Sequence, residues 1–324
     1  MNILITGAAG FIGKQFAYDR IYRSENVFLV DKISSVSNSS SWEYFKLLSK
    51  VPNSFVKDVV TSDISYISAQ YLEDNNITHV VNFAAESHVD RSIANPIHFT
   101  MSNIVSTHHL LEECRKYGKL EKFIQISTDE VYGSLLSHED PFTEYSPLKP
   151  SSPYSASKLG QDAMAMVYYH TYKLPVCITR CSNNYGYGQN EEKFIPKVVQ
   201  QVLSNSLITI YGDGSNVRDW IHVEDHCDGI NLVIEKGIPG NVYNLGGNSE
   251  RSNIEVVNEI LRIYEETTGE DRSYLIAFVE DRLGHDHRYA IDNTFAKKEL
   301  GFNPSIDFEQ WLSKYVNHCI DERY

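Results

Sequence analysis

Ile3-Leu4-Ile5-Thr6-Gly7-Ala8-Ala9-Gly10-Phe11-Ile12-Gly13 decides the architecture of this chain. Ile3–Thr6 is a short apolar run of the kind that forms a buried strand, and Phe11–Arg23 continues with a helical pattern. Gly7, Gly10 and Gly13 occupy the junction, in a G-x-x-G-x-x-G spacing rather than the commoner G-x-G-x-x-G. A tight strand-to-helix turn needs glycine's backbone freedom, and a pyrophosphate approaches the main chain closely only where no side chain stands. Amides at the helix start then face the phosphates. Asp31 closes the next strand, Val27–Asp31, where a carboxylate accepts bonds from both ribose hydroxyls and repels a 2′-phosphate. That favours NAD over NADP, with Lys32 beside it as a counterweight.

Working outward, apolar runs alternate with helical segments. Further strands are expected at Ser54–Val60, His79–Ala85, Lys122–Ser127 and Pro175–Arg180, with helices at about Pro96–Tyr117 and Ser155–Tyr172. Ser34–Ser41 is serine-rich and reads as a loop, and Asp58 reads as the end of the third strand, within reach of an adenine amino group. Strands alternating with helices imply parallel strands joined by right-handed crossovers. Beyond about residue 185 the pattern loosens, with a Gly/Asp cluster at Tyr211-Gly212-Asp213-Gly214 and helices expected at Asn253–Thr268 and Phe308–Ile320. The fold class is therefore α/β: a Rossmann-type doubly wound parallel sheet over residues 1–185 that carries the catalytic residues. A smaller C-terminal α/β substrate-binding cap over 186–324 is expected to stand apart from the sheet, with some segments returning to the first domain.

Composition narrows the function. Hydrophobic residues make up 42% and charged residues 22%, an ordinary globular balance. A formal net charge of −14 argues against nucleic-acid or anionic-membrane partners, so an anionic ligand needs a local concentration of basic side chains. Cys177 and Cys181 have no second metal-spaced pair, so no metal site is expected, and scattered thiols fit a reducing cytoplasm. No targeting segment or membrane-spanning run is expected.

Two further stretches carry chemistry. Tyr154 and Lys158, four apart at the start of a helix, share a face. An ammonium near the phenol, with the positive nicotinamide ring, is expected to lower its pKa, so that Tyr154 can take a hydroxyl proton while a carbon hydride leaves for that ring. Thr128-Asp129-Glu130 falls where the fifth strand ends, the edge at which open α/β sheets bind ligands. An adjacent acid and base is more than a simple alcohol oxidation requires.

With these motifs the chain resembles the extended short-chain dehydrogenase/reductases, and within them the nucleotide-sugar 4,6-dehydratases of the dTDP-glucose type. The resemblance spans nearly the whole chain. It runs through Ala84-Ala85-Glu86-Ser87-His88-Val89-Asp90-Arg91-Ser92, Ser127-Thr128-Asp129-Glu130-Val131-Tyr132-Gly133, Asn183-Asn184-Tyr185-Gly186, Glu192-Lys193-Phe194-Ile195-Pro196, Arg218-Asp219-Trp220-Ile221-His222-Val223-Glu224-Asp225-His226 and Gly284-His285-Asp286-His287-Arg288-Tyr289. It implies a lyase with retained NAD. The sugar is oxidised at C4, water is eliminated across C5–C6, and the hydride returns to C6, giving a 4-keto-6-deoxy product for deoxysugar biosynthesis such as that of rhamnose. Glu130 would remove the C5 proton, Asp129, held protonated, would donate to the departing hydroxyl, and Thr128 would bond the C4 oxygen beside Tyr154.

By the same resemblance Ile33, Ser34, Val59, Phe83, Ala84, Ala85, Ser87, Ser102 and Asn184 join the glycines, Phe11, Ile12, Asp31, Lys32, Asp58, Tyr154 and Lys158 around NAD. Arg218 and Arg282 are candidates to neutralise a diphosphate, since guanidinium matches phosphate oxygens bidentately. Ser87, Thr128, Asn183, Lys193, Phe194, Lys197, Thr209, Ile210, Tyr211, Asn253, Asp281, His285 and Tyr289 would face the nucleotide sugar. Tyr187 and Leu283 stand where relatives carry proline, which leaves base and sugar selectivity open between dTDP and UDP. Epimerases carry small hydroxyl residues in place of Asp129 and Glu130, and a catalytically silent NAD-binding regulator would not need the five catalytic residues. Family members dimerise through two long helices, here 96–117 and 155–172, so a homodimer is expected, with a tetramer left open.

Overall fold

The computed structural model describes residues 1–34, 37–281 and 284–322. Its central sheet takes strands β1 (Asn2–Thr6), β2 (Asn26–Asp31), β3 (Val56–Thr61), β4 (His79–Asn82), β5 (Lys122–Thr128) and β6 (Val176–Cys181). Strands β7 (Asn183–Tyr185), β8 (Ile208–Tyr211), β9 (Val217–His222), β10 (Val242–Leu245), β11 (Glu250–Ser252) and β12 (Ile276–Val279) follow. The seven-stranded sheet runs β10-β6-β5-β4-β1-β2-β3, parallel throughout. The order reverses between β1 and β4, which opens a crevice beyond their carboxyl ends.

The C-terminal portion does not stand wholly apart from the sheet, as the loosened pattern implied. β10 pairs with β6 and extends the sheet, and the helix Val223–Lys236 packs on its face beside the helix Phe11–Tyr22. Val223, Ile230, Val233 and Phe302 share one buried core with Ile3, Ile5, Phe16 and Leu29. The remainder of the C-terminal portion has its own core, built from the amphipathic helices Phe194–Leu203, Asn253–Thr268 and Phe308–Asp321. The small sheets β11-β9-β7 and β12-β8 lie in this half.

Local chemistry explains where the expected elements moved. The serine-rich stretch is not all loop: a helix occupies Ser39–Leu48, because the Asn38 side chain accepts from Ser41 N at 2.8 Å and caps it. The third strand runs Val56–Thr61 rather than Ser54–Val60, with a register shift between Val27 and Phe28 where it pairs with β2. β4 stops at Asn82 rather than Ala85, where the chain leaves the sheet to floor the crevice. The catalytic helix, Pro153–Tyr172, starts two residues earlier than expected. Pro153 sits in its first turn, and Ser152 and Ser155 form a reciprocal capping box. The long segment before it is an α-helix at Pro96–Phe99, a π-helix at Thr100–Val105 and an α-helix at Ser106–Tyr117, closed by the left-handed Gly118.

Candidate active site

Three compartments with shared walls form one trough along the carboxyl edge of the sheet. The first is lined by Gly7, Gly10, Asp31, Lys32, Ser34, Phe83, Ala84 and Ser102, together with Ser37, Ser62, Asp63, Ile64 and Glu86. The second, a cleft of about 1200 Å³, takes Gly7, Gly10, Phe11, Ile12 and Gly13 on one side and Ser87, Thr128, Asp129, Glu130, Tyr154, Lys158, Asn183 and Asn184 on the other. The third shares Ser87, Glu130, Asn183 and Lys193 with the second. It extends to Phe194, Lys197, Thr209, Ile210, Tyr211, Arg218, Asn253, His285 and Tyr289.

The glycine turn suits a dinucleotide. Gly7 has φ +65°, and a Cβ there would stand 2.9 Å from Ala84 N and Phe83 C. A Cβ on Gly13 would stand 2.2 Å from Gly7 O, so the helix can follow the strand this closely only with glycine in place. Gly10 caps the helix without a side chain, leaving its first amides open to an anion. Asp31 has a wider task than ribose recognition: Oδ2 accepts Ala9 N at 2.9 Å and Oδ1 accepts Ile33 N at 2.8 Å, tying the glycine turn to β2.

Not every expected cofactor residue reaches the trough. Asp58 lies in the middle of β3, and its carboxylate accepts the Tyr71 hydroxyl at 3.0 Å; Val59 follows it in the strand, and neither lines a compartment. The strand ends at Thr61, and Ser62-Asp63-Ile64 just beyond it line the first compartment. Ile33 packs against the core instead of lining the cleft. The only signal for Ser62-Asp63-Ile64 was a second Asp after the strand, and a bulge cannot be read from apolar alternation.

At the catalytic centre Thr128 and Asp129 are buried. Thr128 Oγ1 accepts Glu130 N at 3.3 Å and donates to Asp129 Oδ1 at 3.2 Å. Asp129 Oδ2 is buried with no hydrogen-bond partner among the described residues. Burial, then the neighbouring Glu130 and Asp219, push the Asp129 carboxyl well above the carboxylate range. A carboxyl held protonated beside a carboxylate divides acid and base work between them.

The pairing of Tyr154 and Lys158 differs from expectation. Their shared helix face brings both into the cleft, but the Lys158 ammonium donates to Ile126 O at 2.7 Å and to Gln161 Oε1 at 2.5 Å. Burial lowers the lysine to about 8. The phenol is pushed up, not down, by burial and then by Glu130, Cys181 and Asp129, with a Thr128 hydrogen bond opposing. Lysine's long stem carries its charge past the phenol to a strand carbonyl, which four-residue spacing does not reveal.

In the third compartment the Arg218 guanidinium lies 4.2 Å from the Tyr289 ring centroid and donates to Asp286 O at 3.0 Å and Val217 O at 2.7 Å. The ring beneath it is that of Tyr289, which also lines the compartment. Lys193 Nζ donates to Ser87 O at 3.3 Å, and Arg91 pairs with Glu192, so the segment before Phe194 is tied across the cleft. Asp281 does not line the compartment but bonds His285 Nδ1 at 2.6 Å, and Arg282 and Leu283 lie outside the described residues. Tyr187 does not line the cleft: its ring packs edge-on against Trp311, Tyr315 and His318. Glu86 and Glu192 stood inside quoted motifs without a task, and Asp63 was given none.

A family model described as GDP-mannose 4,6 dehydratase matches residues 4–315. The chain belongs to this family. Among curated relatives it is 42% identical to a dTDP-glucose 4,6-dehydratase of Xanthomonas campestris, over 97% of this chain and 92% of that one. It is 39% identical to one from Escherichia coli, over 100% and 94%. A solved dTDP-glucose 4,6-dehydratase of Bacillus anthracis in complex with NAD superposes with a TM-score of 0.86 at 40% identity, covering 100% of this chain and 98% of that one. A UDP-glucuronic acid 4-epimerase of Bacillus cereus, solved with NAD and a fluorinated UDP-sugar, gives 0.88 at 27%, covering 100% of each. Membership in this family accounts for both halves of the trough, a dinucleotide side and a nucleotide-sugar side. Among the described residues no helix is long and apolar enough to cross a membrane, and no group of His, Cys, Asp and Glu could hold a metal.

Proposed function

We propose that this chain is a dTDP-glucose 4,6-dehydratase that converts dTDP-glucose to dTDP-4-keto-6-deoxyglucose and water with retained NAD. The observation that carries this is the buried Asp129 Oδ2, without a hydrogen-bond partner among the described residues, beside Glu130 in the cleft that also holds Tyr154 and Thr128. An epimerase has no use for a protonated carboxyl next to a carboxylate. NAD, when bound, supplies the hydride acceptor and returns the same hydride. With the positive nicotinamide bound beside it, the Tyr154 phenol would ionise and take the C4 hydroxyl proton, and Thr128 holds that oxygen. Glu130 removes the proton on C5, acidified by the ketone at C4. Asp129 protonates the leaving C6 hydroxyl, so the departing group is water. Arg218, Lys193 and Asn183 hold the nucleotide end.

The dTDP-specific names of the relatives near 40% identity support thymidine over uridine as the base. UDP-glucose stays the alternative, because one methyl group separates the two bases and is worth only about 1–3 kcal/mol. Exposed Ile97 and Met101 on one long helical segment, with Val167 and Tyr172 on the other, support a homodimer through these helices. Five free cysteines support a cytoplasmic setting.

The test is dTDP-glucose deuterated at C4. Wild type should place the label on the C6 methyl, and Glu130→Gln should form the 4-ketone without releasing water. A methyl group without label refutes the reading.

A further inference from the structure

Asp31 discourages a 2′-phosphate, but a lysine directly after it would attract one. In this structure Lys32 is already engaged. Its Nζ pairs with Glu86 at 2.8 Å and donates to Ser102 Oγ at 2.9 Å, across the compartment that Asp31 also lines. Glu86 is fixed from behind: its N–H donates to Asn103 Oδ1 at 2.7 Å and its carbonyl accepts from Asn103 Nδ2 at 3.0 Å. Asn103 Nδ2 also donates to Ser157 Oγ at 2.8 Å, anchoring it to the catalytic helix. Ser102 and Asn103 belong to the π-helical turn Thr100–Val105, and these neighbours reach Lys32 and Glu86 respectively.

Ile33 follows Lys32 with φ +52°, a conformation strained for a β-branched residue, and is held there by Asp31 Oδ1. The turn therefore fixes the chain immediately after Lys32. Burial alone would raise the Glu86 carboxyl, but Lys32 and His98 hold it below its usual value, so it is charged at neutral pH. Among the described residues lining this compartment, the charged groups are Asp31, Asp63 and Glu86 against Lys32.

We propose that Glu86 makes the site selective for NAD by occupying Lys32, so that a 2′-phosphate meets carboxylates and a cation already paired. The inference rests on the trough being a dinucleotide site. To use Lys32, NADP has to break the pair and leave the Glu86 carboxylate facing its phosphate.

The test is direct binding. The protein, with its copurified cofactor exchanged out, is titrated with NADH and with NADPH at fixed ionic strength, following nicotinamide fluorescence. Glu86→Gln keeps the side chain's length and frees the ammonium. The NADPH-to-NADH ratio of Kd values should fall about tenfold or more, the gain of one charge-assisted contact. Lys32→Met added to Glu86→Gln should erase the gain, because the freed ammonium carries it. A Glu86→Gln ratio within about twofold of wild type overturns the proposal. So does a gain that survives in the Glu86→Gln, Lys32→Met double variant, or an unchanged ratio in Glu86→Ala, a second variant that also removes the carboxylate. If wild type binds neither nucleotide, the dinucleotide reading itself fails. NADH binding with an unchanged ratio removes only the role of Glu86.

Discussion

Asp129 and Glu130 are neighbours in the chain to which the proposed function gives opposite tasks, and the structure buries Asp129 more deeply than Glu130. Asp129 lies 2% exposed under the Thr128 hydroxyl, with Glu130 and Asp219 adding negative charge nearby. This arrangement disfavours its carboxylate and has a consequence for stability. The folded-state pKa lies above the unfolded value of about 3.9, so the native state binds the proton more tightly. Asp129's contribution to stability is therefore full below about pH 4 and is lost as pH rises through the folded value. Asp129→Asn cannot ionise and does not suffer this loss. Its melting temperature relative to wild type should rise as pH increases from 4 and level off once pH passes the folded value, measured by thermal denaturation at each pH with the cofactor content matched. A difference independent of pH would mean that Asp129 ionises freely in the fold.

The element that organises everything else is the turn between β1 and the helix Phe11–Tyr22. Its tightness is steric: the 2.2 Å approach of a Gly13 Cβ to Gly7 O is far inside any real contact. Gly13→Ala should therefore push the helix off the strand. The overpacking should cost about 1–3 kcal/mol and spoil the anion-facing amides together. The check is the melting temperature and the nicotinamide released on denaturing the purified variant, and a variant with full cofactor content would contradict it. This turn was legible in the sequence because three glycines at fixed spacing leave few alternatives. The parallel sheet and Asn253–Thr268 were legible for a similar reason, a strong local period bounded by a cap. Features set by pairing between distant segments were not. Asp58 fell inside β3, so that Asp63 beyond its end lines the first compartment, and β10 joined the main sheet from within the segment expected as a cap. Lys158 was correctly placed on the helix face, but its ammonium found Ile126 O and Gln161, partners that only the folded chain brings near.

At the scale of the molecule, the trough lies between two cores, and its polar groups come from both. Glu130 and Thr128 extend from β5 of the large sheet, whereas Arg218 lies on β9 and Asn253 opens a helix of the C-terminal core. A nucleoside diphosphate seated in the third compartment would touch both halves and should stabilise them jointly. Saturation at about a hundred times Kd adds about 2.7 kcal/mol, so dTDP should raise the melting temperature by a readily measured increment. Arg218 is the group on which that increment should depend most. Its fork is oriented by Asp286 O and Val217 O and backed by the Tyr289 ring, so it meets the phosphates without first ordering a flexible side chain. Arg218→Lys keeps the charge but not the planar fork. It should bind dTDP at least about tenfold more weakly and lose most of the shift at a dTDP concentration that saturates wild type. Comparing each protein with and without dTDP separates this from any destabilisation the substitution itself causes. An undiminished shift in the variant would place the diphosphate elsewhere along the trough.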